Sequence, residues 1–126
     1  SDTFYQFGMP LMAQLGHPTL LCHNLEVADD RIVDYHLRQP DQKTKAVAAL
    51  QSLNLRVVAT GDSYNDTGML GQAEAGILFS PPQNVIDEFP QFQVTRTYAE
   101  LRAAIDAAAK RGEGVSTAAA LLGVVI

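Results

Sequence analysis

Residues 55–66 read LRVVATGDSYND, an apolar, β-branched run that ends at a glycine and leads into two aspartates four positions apart. The run predicts a buried strand, and Gly61 allows a sharp turn where that strand ends. The carboxylates of Asp62 and Asp66 can then face one point in front of the strand, with the Asn65 amide beside them. Such oxygen ligands suit Mg²⁺, which takes one or two carboxylates. The simpler alternative is a turn in which these residues only cap the next helix.

Helix and strand patterns alternate on both sides of this stretch. Before it, the patterns predict a helix at 4–15, a short buried strand at 18–22, a β-hairpin at 23–37 with its turn at 28–31, and a helix at 42–53. After it, they predict a helix at 67–73, a strand at 75–79, a helical turn at 85–89, a small strand at 94–95 and a helix at 98–110. Apolar strands that alternate with helices favour a mostly parallel α/β sheet with helices on both faces. Ligands bind at the carboxyl ends of such strands, where Gly61, Asp62 and Ser1 would lie.

The composition is that of a globular domain, since 47% of the 126 residues are hydrophobic and 18% are charged. A net charge of -5 without a run of Lys or Arg argues against a nucleic-acid partner. No apolar stretch is long enough for a membrane span, and the N-terminus lacks the pattern of a signal peptide. The single cysteine, Cys22, cannot form an internal disulfide, which favours a reducing compartment. We therefore predict a cytoplasmic protein.

Three motifs carry a family resemblance. Residues 61–66, GDSYND after an apolar strand, closely resemble the fourth motif of the haloacid dehalogenase superfamily, in the G-D-x-x-N-D form of phosphoserine phosphatases. Ser1, in the run SDTF, resembles the second motif, in which a serine at a strand end contacts phosphate. Lys43 resembles the third motif, because one helix and one strand fit between it and Gly61, and Lys45 is the competing candidate. The resemblance covers residues 1 to 110.

The resemblance implies a Rossmann-like α/β core of the haloacid dehalogenase type, with the hairpin as an insertion. It also implies a set of site residues, namely Asp62 and Asp66 as ligands of Mg²⁺, and Ser1, Lys43 and Asn65 as phosphate-binding residues. Residues 1–4, the hairpin around Asp29, and residues 76–79 and 88–92 look most like the bifunctional phosphoserine phosphatase/homoserine phosphotransferase subgroup. This likeness implies phosphoserine as the phosphoryl donor and water or homoserine as the acceptor.

The sequence does not contain the nucleophile of this family. That residue is the first aspartate of a D-x-D/E-G motif on the central strand, whose second acid protonates the leaving group. No such motif occurs in the 126 residues, and Asp2 is no substitute because it follows the phosphate-binding serine. We therefore predict no catalytic residue, a partial core at 1–110 that lacks the first strand and the cap, and a divergent apolar tail at 111–126. The chain alone should have negligible phosphatase activity, and its binding of Mg²⁺ is left open.

Besides the hypothesis that this chain is part of an enzyme, two other hypotheses stay open. One is a non-catalytic homo-oligomeric remnant, and the other is a receiver-like binding domain, which does not explain the spacing of the three motifs. Without the central strand, the strands at 19–22 and 55–60 would lose their partners, and unpaired buried strand edges invite association. We therefore predict a homodimer that completes the sheet, or a rearranged sheet, with residues 115–126 helping to cover the exposed face.

Overall fold

The computed structural model describes residues 1–111, which divide into two compact units after Gln42. The first unit, Ser1–Gln42, contains one helix and two strands: α1 (Tyr5–Gln14), β1 (Asn24–Ala28) and β2 (Arg31–His36). Helix α1 confirms the helix predicted at 4–15. The predicted division into a core at 1–110 and a tail at 111–126 stays a prediction, because the chain after Arg111 lies outside the described residues.

The hairpin turn is formed by Asp29 and Asp30, whose φ angles are 50° and 58°. Two consecutive residues in the left-handed region are typical of a two-residue type I′ turn, and Asp tolerates this region better than most residues. Strand β1 pairs with β2 in antiparallel register, from Asn24 opposite His36 to Ala28 opposite Arg31. The predicted hairpin and its turn are therefore confirmed.

The strand predicted at 18–22 is wrong. These residues have no regular structure, and the neighbouring His23 forms an isolated parallel bridge with Phe4. The Leu20 carbonyl accepts a hydrogen bond from the Tyr5 hydroxyl at 3.1 Å, and the Leu21 carbonyl accepts one from the Ser1 nitrogen at 2.9 Å. Carbonyl groups of this segment thus find partners without a neighbouring strand, so a ladder does not form.

The second unit, from Lys43 onward, alternates helices and parallel strands. Helix α2 (Gln42–Ser52) starts at the last residue of the first unit and otherwise belongs to the second. It is followed by β3 (Val58–Gly61), a 3-10 helix (Tyr64–Asp66), α3 (Thr67–Gln72), β4 (Ala75–Phe79), α4 (Gln83–Glu88), β5 (Gln93–Thr95) and α5 (Tyr98–Lys110). The three strands run parallel in the order β3-β4-β5. The predicted helices and strands of this unit are present, and the mostly parallel sheet is confirmed.

Helices cover both faces of this sheet, as predicted. One face is packed by α2, α3 and α4 through Val47, Met69, Leu70 and Val85. These buried side chains meet Ala59 and Leu78 of the strands and Val57, which directly precedes β3. The other face is packed by α5, where Ala104 and Ala108 contact Val58 and Ile77. Successive strand residues point to opposite faces, so an all-apolar strand is buried on both sides.

Strand β3 starts three residues later than the start predicted at residue 55. The Val57 N–H donates to the Glu74 carboxylate at 2.7 Å, and the Val57 carbonyl accepts from the Glu74 N–H at 3.1 Å. These bonds occupy the backbone of Val57 outside the ladder. Regular pairing therefore begins with Val58 opposite Ala75.

No helix in residues 1–111 is long and apolar enough to cross a membrane. Within this part of the chain, β3 forms one edge of the three-stranded sheet. A homodimer that completes the sheet stays a prediction. The cover expected from residues 115–126 falls outside the described residues.

Candidate metal and phosphate site

The carboxyl end of β3 leads into the loop for which the sequence predicts a metal and phosphate site. Gly61, the last residue of the strand, is buried. Residues 62–63 then turn the chain into the 3-10 helix, which continues directly into α3. The site loop, residues 61–66, therefore stands where a parallel sheet usually binds its ligand.

Asp66 organises the site loop through both of its carboxylate oxygens. Its Oδ1 accepts a hydrogen bond from the Lys43 ammonium at 2.6 Å. Its Oδ2 accepts from the Asp62 N–H at 3.0 Å, and from the N–H and the hydroxyl of Ser63, each at 3.2 Å. Asp66 is 1% exposed and Lys43 is 8% exposed, so water has little access to the ion pair. A buried charge needs such partners, because an unpaired one is strongly destabilising.

Gly61 makes room for the Asp66 side chain. A Cβ atom at residue 61 would lie 2.4 Å from the Cβ of Asp66 and 2.6 Å from its Oδ2. Real Cβ atoms essentially never come this close to another heavy atom. Any side chain at residue 61 would therefore displace the carboxylate that holds the loop.

The pKa of the Asp66 carboxyl lies below its ordinary value of 3.8. Burial acts to raise this pKa, but the hydrogen bond and charge of Lys43, together with the N–H groups of Asp62 and Ser63, outweigh that effect. Asp66 is therefore ionised at neutral pH and forms an ion pair with Lys43.

Asp62 and Asn65 are the exposed members of the loop's oxygen donor set. The Asn65 side-chain oxygen accepts a hydrogen bond from the Ser63 hydroxyl. Carboxylate and amide oxygens are hard ligands, so the donor set fits Mg²⁺ and not a metal that prefers thiolates. Direct ligation by Asp66 would require an oxygen that already accepts hydrogen bonds, whereas the Asp62 carboxylate is exposed.

Of the two candidate lysines, Lys43 is the one that contacts the site loop. Lys43 is buried at the start of α2 and bonds to Asp66, whereas Lys45 is exposed on the same helix. The structure thus brings together Lys43, Asp62, Asn65 and Asp66 of the predicted site. The geometry favours Lys43 over its competitor.

Ser1, the remaining predicted site residue, belongs to the first unit. Its hydroxyl oxygen accepts the Thr3 N–H at 3.4 Å, and its carbonyl accepts a hydrogen bond from the Gln42 side chain. The segment that follows leads to the bridge between Phe4 and His23. The contact of Ser1 with phosphate stays a prediction.

Two contacts of the site loop were not predicted from the sequence. Ser63 donates twice to Asp66, and its position three residues before an acidic side chain is a capping-box spacing that could have revealed this. The Tyr64 hydroxyl donates to the Glu88 carboxylate at 2.9 Å, and this bond and the charge of Glu88 raise the pKa of Tyr64. Glu88 lies in a separate helix, so no local pattern could have indicated that second contact.

Comparison with known proteins finds relatives for most of the chain, although no family model matches it. The phosphoserine phosphatase ThrH of Pseudomonas aeruginosa is 62% identical over 103 residues, which are 81% of this chain and 50% of that protein. A phosphoserine phosphatase of Pseudomonas syringae pv. tomato is 60% identical over 103 residues, which are 81% of this chain and 44% of that protein. The chain is a homologue of these phosphatases. It spans about half the length of the curated relatives it matches.

Solved structures agree with this relationship at the level of the fold. A probable phosphoserine phosphatase from Vibrio cholerae covers 92% of this chain with a TM-score of 0.68 at 19% identity, and the chain covers 38% of it. A HAD family hydrolase from Salmonella enterica serovar Typhi covers 75% of this chain with a TM-score of 0.62 at 22% identity, and the chain covers 35% of it. The predicted haloacid dehalogenase-like fold and the resemblance to part of a phosphoserine phosphatase are therefore confirmed.

Proposed function

We propose that this chain supplies the residues that bind Mg²⁺ and phosphate in a phosphoserine phosphatase or phosphotransferase of the haloacid dehalogenase type. The observation that carries the proposal is the buried ion pair between Lys43 and Asp66, which holds the site loop at the carboxyl end of β3. A turn that only capped α3 would not need a buried lysine from another helix. The homology to phosphoserine phosphatases supports the same assignment.

In this proposal Asp62 binds Mg²⁺ directly through its exposed carboxylate. Asp66 holds Lys43 and the loop backbone, and it ligates the ion only if one of its oxygens is shared. Magnesium bound here would neutralise charge on the phosphate group and orient it. Asn65 and Ser1 are the further predicted contacts of the phosphate group.

Lys43 is proposed to bind a phosphate oxygen while it remains paired with Asp66. The ammonium group lies 2.6 Å from Asp66 Oδ1, beside the site loop at the carboxyl end of β3. The ion pair also fixes the long lysine side chain before a ligand arrives, which lowers the entropic cost of binding. Electrostatic stabilisation of this kind is the main contribution that a protein makes to phosphoryl transfer.

The chain alone is proposed to have negligible phosphatase activity, because its sequence has no D-x-D/E-G motif to supply the nucleophile. The alternative is a non-catalytic remnant of the fold that associates with copies of itself. A homodimer is proposed because unpaired buried strand edges invite association. A cytoplasmic location is proposed because the single cysteine, Cys22, cannot form an internal disulfide, which favours a reducing compartment. A monomeric mass at micromolar concentration in sedimentation equilibrium would contradict the dimer.

The proposal is tested by calorimetric titration of the chain with Mg²⁺ and by phosphate release from phosphoserine. We expect Mg²⁺ binding that Asp62→Asn abolishes, whereas Asp87→Asn, an exposed aspartate of α4, binds like the unaltered chain. We also expect no phosphate release by the chain alone. Release should appear when the unmatched half of the P. aeruginosa relative is added.

Three results would count against these statements. Absence of Mg²⁺ binding would overturn the proposed site. Binding without restored activity would favour the non-catalytic remnant. Phosphoserine turnover by the chain alone that Asp62→Ala abolishes would overturn the claim of inactivity.

A further inference from the structure

Tyr64 lies at the centre of the site loop, between the metal-binding candidate Asp62 and Asp66, and it connects the loop to α4. Its hydroxyl donates to the Glu88 carboxylate at 2.9 Å. Its ring makes a T-shaped contact with the ring of Phe89, with the ring centroids 5.5 Å apart. Two different interactions therefore hold one exposed side chain against the same short segment.

This segment is itself anchored in the core of the second unit. Phe89 stacks on Phe92, with the ring centroids 6.1 Å apart, and both rings pack against the core face that contains the buried Val85. The Phe89 N–H donates to the Val85 carbonyl at 3.0 Å, which fixes the end of α4. Tyr64 therefore contacts a segment whose aromatic rings pack on the core of the second unit.

The backbone around Tyr64 carries the donors that hold Asp66. The N–H groups of Asp62 and Ser63, immediately before Tyr64, donate to Asp66 Oδ2. The Tyr64 carbonyl accepts a hydrogen bond from the Thr67 hydroxyl at 2.8 Å. A movement of Tyr64 would thus shift the donors on its amino side relative to Asp66 and change the position of the Asp62 carboxylate.

We propose that Tyr64 and Glu88 form a clasp that positions the site loop, so that the Asp62 carboxylate is held in place for Mg²⁺. This inference rests on the proposed function for its magnesium part only. A hydroxyl that donates to a carboxylate forms a charge-assisted hydrogen bond, which is stronger than a neutral one. Because the pair is exposed, its net contribution is modest, and Tyr64 is a positioning residue and not a catalytic one.

The clasp is tested with three variants and one matched control. Tyr64→Phe keeps the ring contact and removes the donor, Glu88→Ala removes the acceptor, and Glu88→Gln keeps an acceptor oxygen. Tyr98→Phe removes the same hydroxyl from the other tyrosine of the second unit, whose ring stacks on Phe79. Amide hydrogen exchange at Asp62 and Ser63 reports on the loop, and calorimetry reports the Mg²⁺ affinity.

We expect Tyr64→Phe and Glu88→Ala each to speed amide exchange at Asp62 and Ser63, and to weaken Mg²⁺ binding, by about three-fold. Glu88→Gln should lie closer to the unaltered chain, and Tyr98→Phe should match it. The double variant of Tyr64→Phe and Glu88→Ala should lose no more than either single variant, because both remove the same bond.

Each result decides one part of the inference. Unchanged amide exchange in Tyr64→Phe would overturn the clasp whatever happens to the metal. Faster exchange with an unchanged Mg²⁺ affinity would overturn the positioning role and leave a purely structural bond. Faster exchange in a chain that binds no Mg²⁺ would overturn the proposed function and, with it, the positioning role, while the clasp as a structural contact would stand.

Discussion

The two units of the chain bury their apolar residues to very different extents. Among the described residues, thirteen apolar side chains are buried, and only Cys22 and Leu25 of these belong to the first unit. The first unit instead exposes large apolar side chains along its hairpin, such as Ile32 at 60% and Tyr35 at 59%. The second unit contains a core on each face of its sheet.

The second unit buries its apolar side chains against its own helices, whereas the first unit does not. In the second unit, the apolar residues of the strands meet helices on both faces of the sheet, so local patterns and tertiary contacts agree. In the first unit, the apolar side of the hairpin exceeds what the described residues bury. Exposed apolar area of this kind is typical of an interaction surface. The predicted homodimer, which would complete the sheet, stays a prediction.

The largest expected effect comes from removing the buried cation of the second unit. Lys43→Met should lower the free energy of unfolding by about 3 kcal/mol, because Asp66 would be left buried without its partner. Urea unfolding followed by circular dichroism measures this change. Lys45→Met, on the exposed side of the same helix, is the matched control and should change stability by less than about 0.5 kcal/mol. Equal effects would mean that the ion pair does not organise the unit.

Acid should destabilise the second unit through the same ion pair. The pKa of Asp66 in the folded chain lies below 3.8, so its carboxylate gives its full stabilisation above that pH. The contribution declines as the pH falls from 3.8 through the lower folded pKa. We expect Asp66→Asn to flatten this part of the stability profile and the exposed Asp87→Asn to leave it unchanged. A carboxyl titration of Asp66 by NMR with an ordinary pKa would contradict the prediction.

The smallest expected effect compares one isoleucine from each unit. Ile77 is 2% exposed in β4, whereas Ile32 is 60% exposed in β2. Ile77→Val should cost about 1 kcal/mol of unfolding free energy through lost packing, and Ile32→Val should stay within about 0.5 kcal/mol. If Ile32→Val lowers the free energy of unfolding as much as Ile77→Val does, then Ile32 is buried in solution. The two units would then not differ in burial at the hairpin.

The sequence predicted the second unit well because its periodic patterns are strong. The strand at 75–79 and the helix at 98–110 match the structure in both bounds, since each apolar run is ended by residues that stop it locally. The strand at 18–22 failed for the opposite reason. A short apolar run between Gly16 and His23 becomes a strand only if a neighbouring strand exists, and this condition is not written in the run itself.

The site was predicted in part for similar reasons. Asp62, Asn65 and Asp66 follow one strand, so their grouping could be inferred from spacing alone. Only the family resemblance placed Lys43 near Asp66, because the two residues are 23 positions apart in the chain and share no local pattern. The contact of Tyr64 with Glu88 depends on the packing of α4. Neither the residue spacing nor the family resemblance indicated it.

Glu74 lies at the opposite end of the sheet from the site loop, and its two bonds fix the register of β3 against β4. Its carboxylate accepts the Val57 N–H, and its own N–H donates to the Val57 carbonyl, directly before the first pair of β3 and β4. A slip of β3 by one residue would break both bonds and move Val57 and Ala59 to the wrong face of the sheet. An acidic side chain at the amino end of the sheet thus sets which residue of β3 stands at its carboxyl end, where the site loop begins.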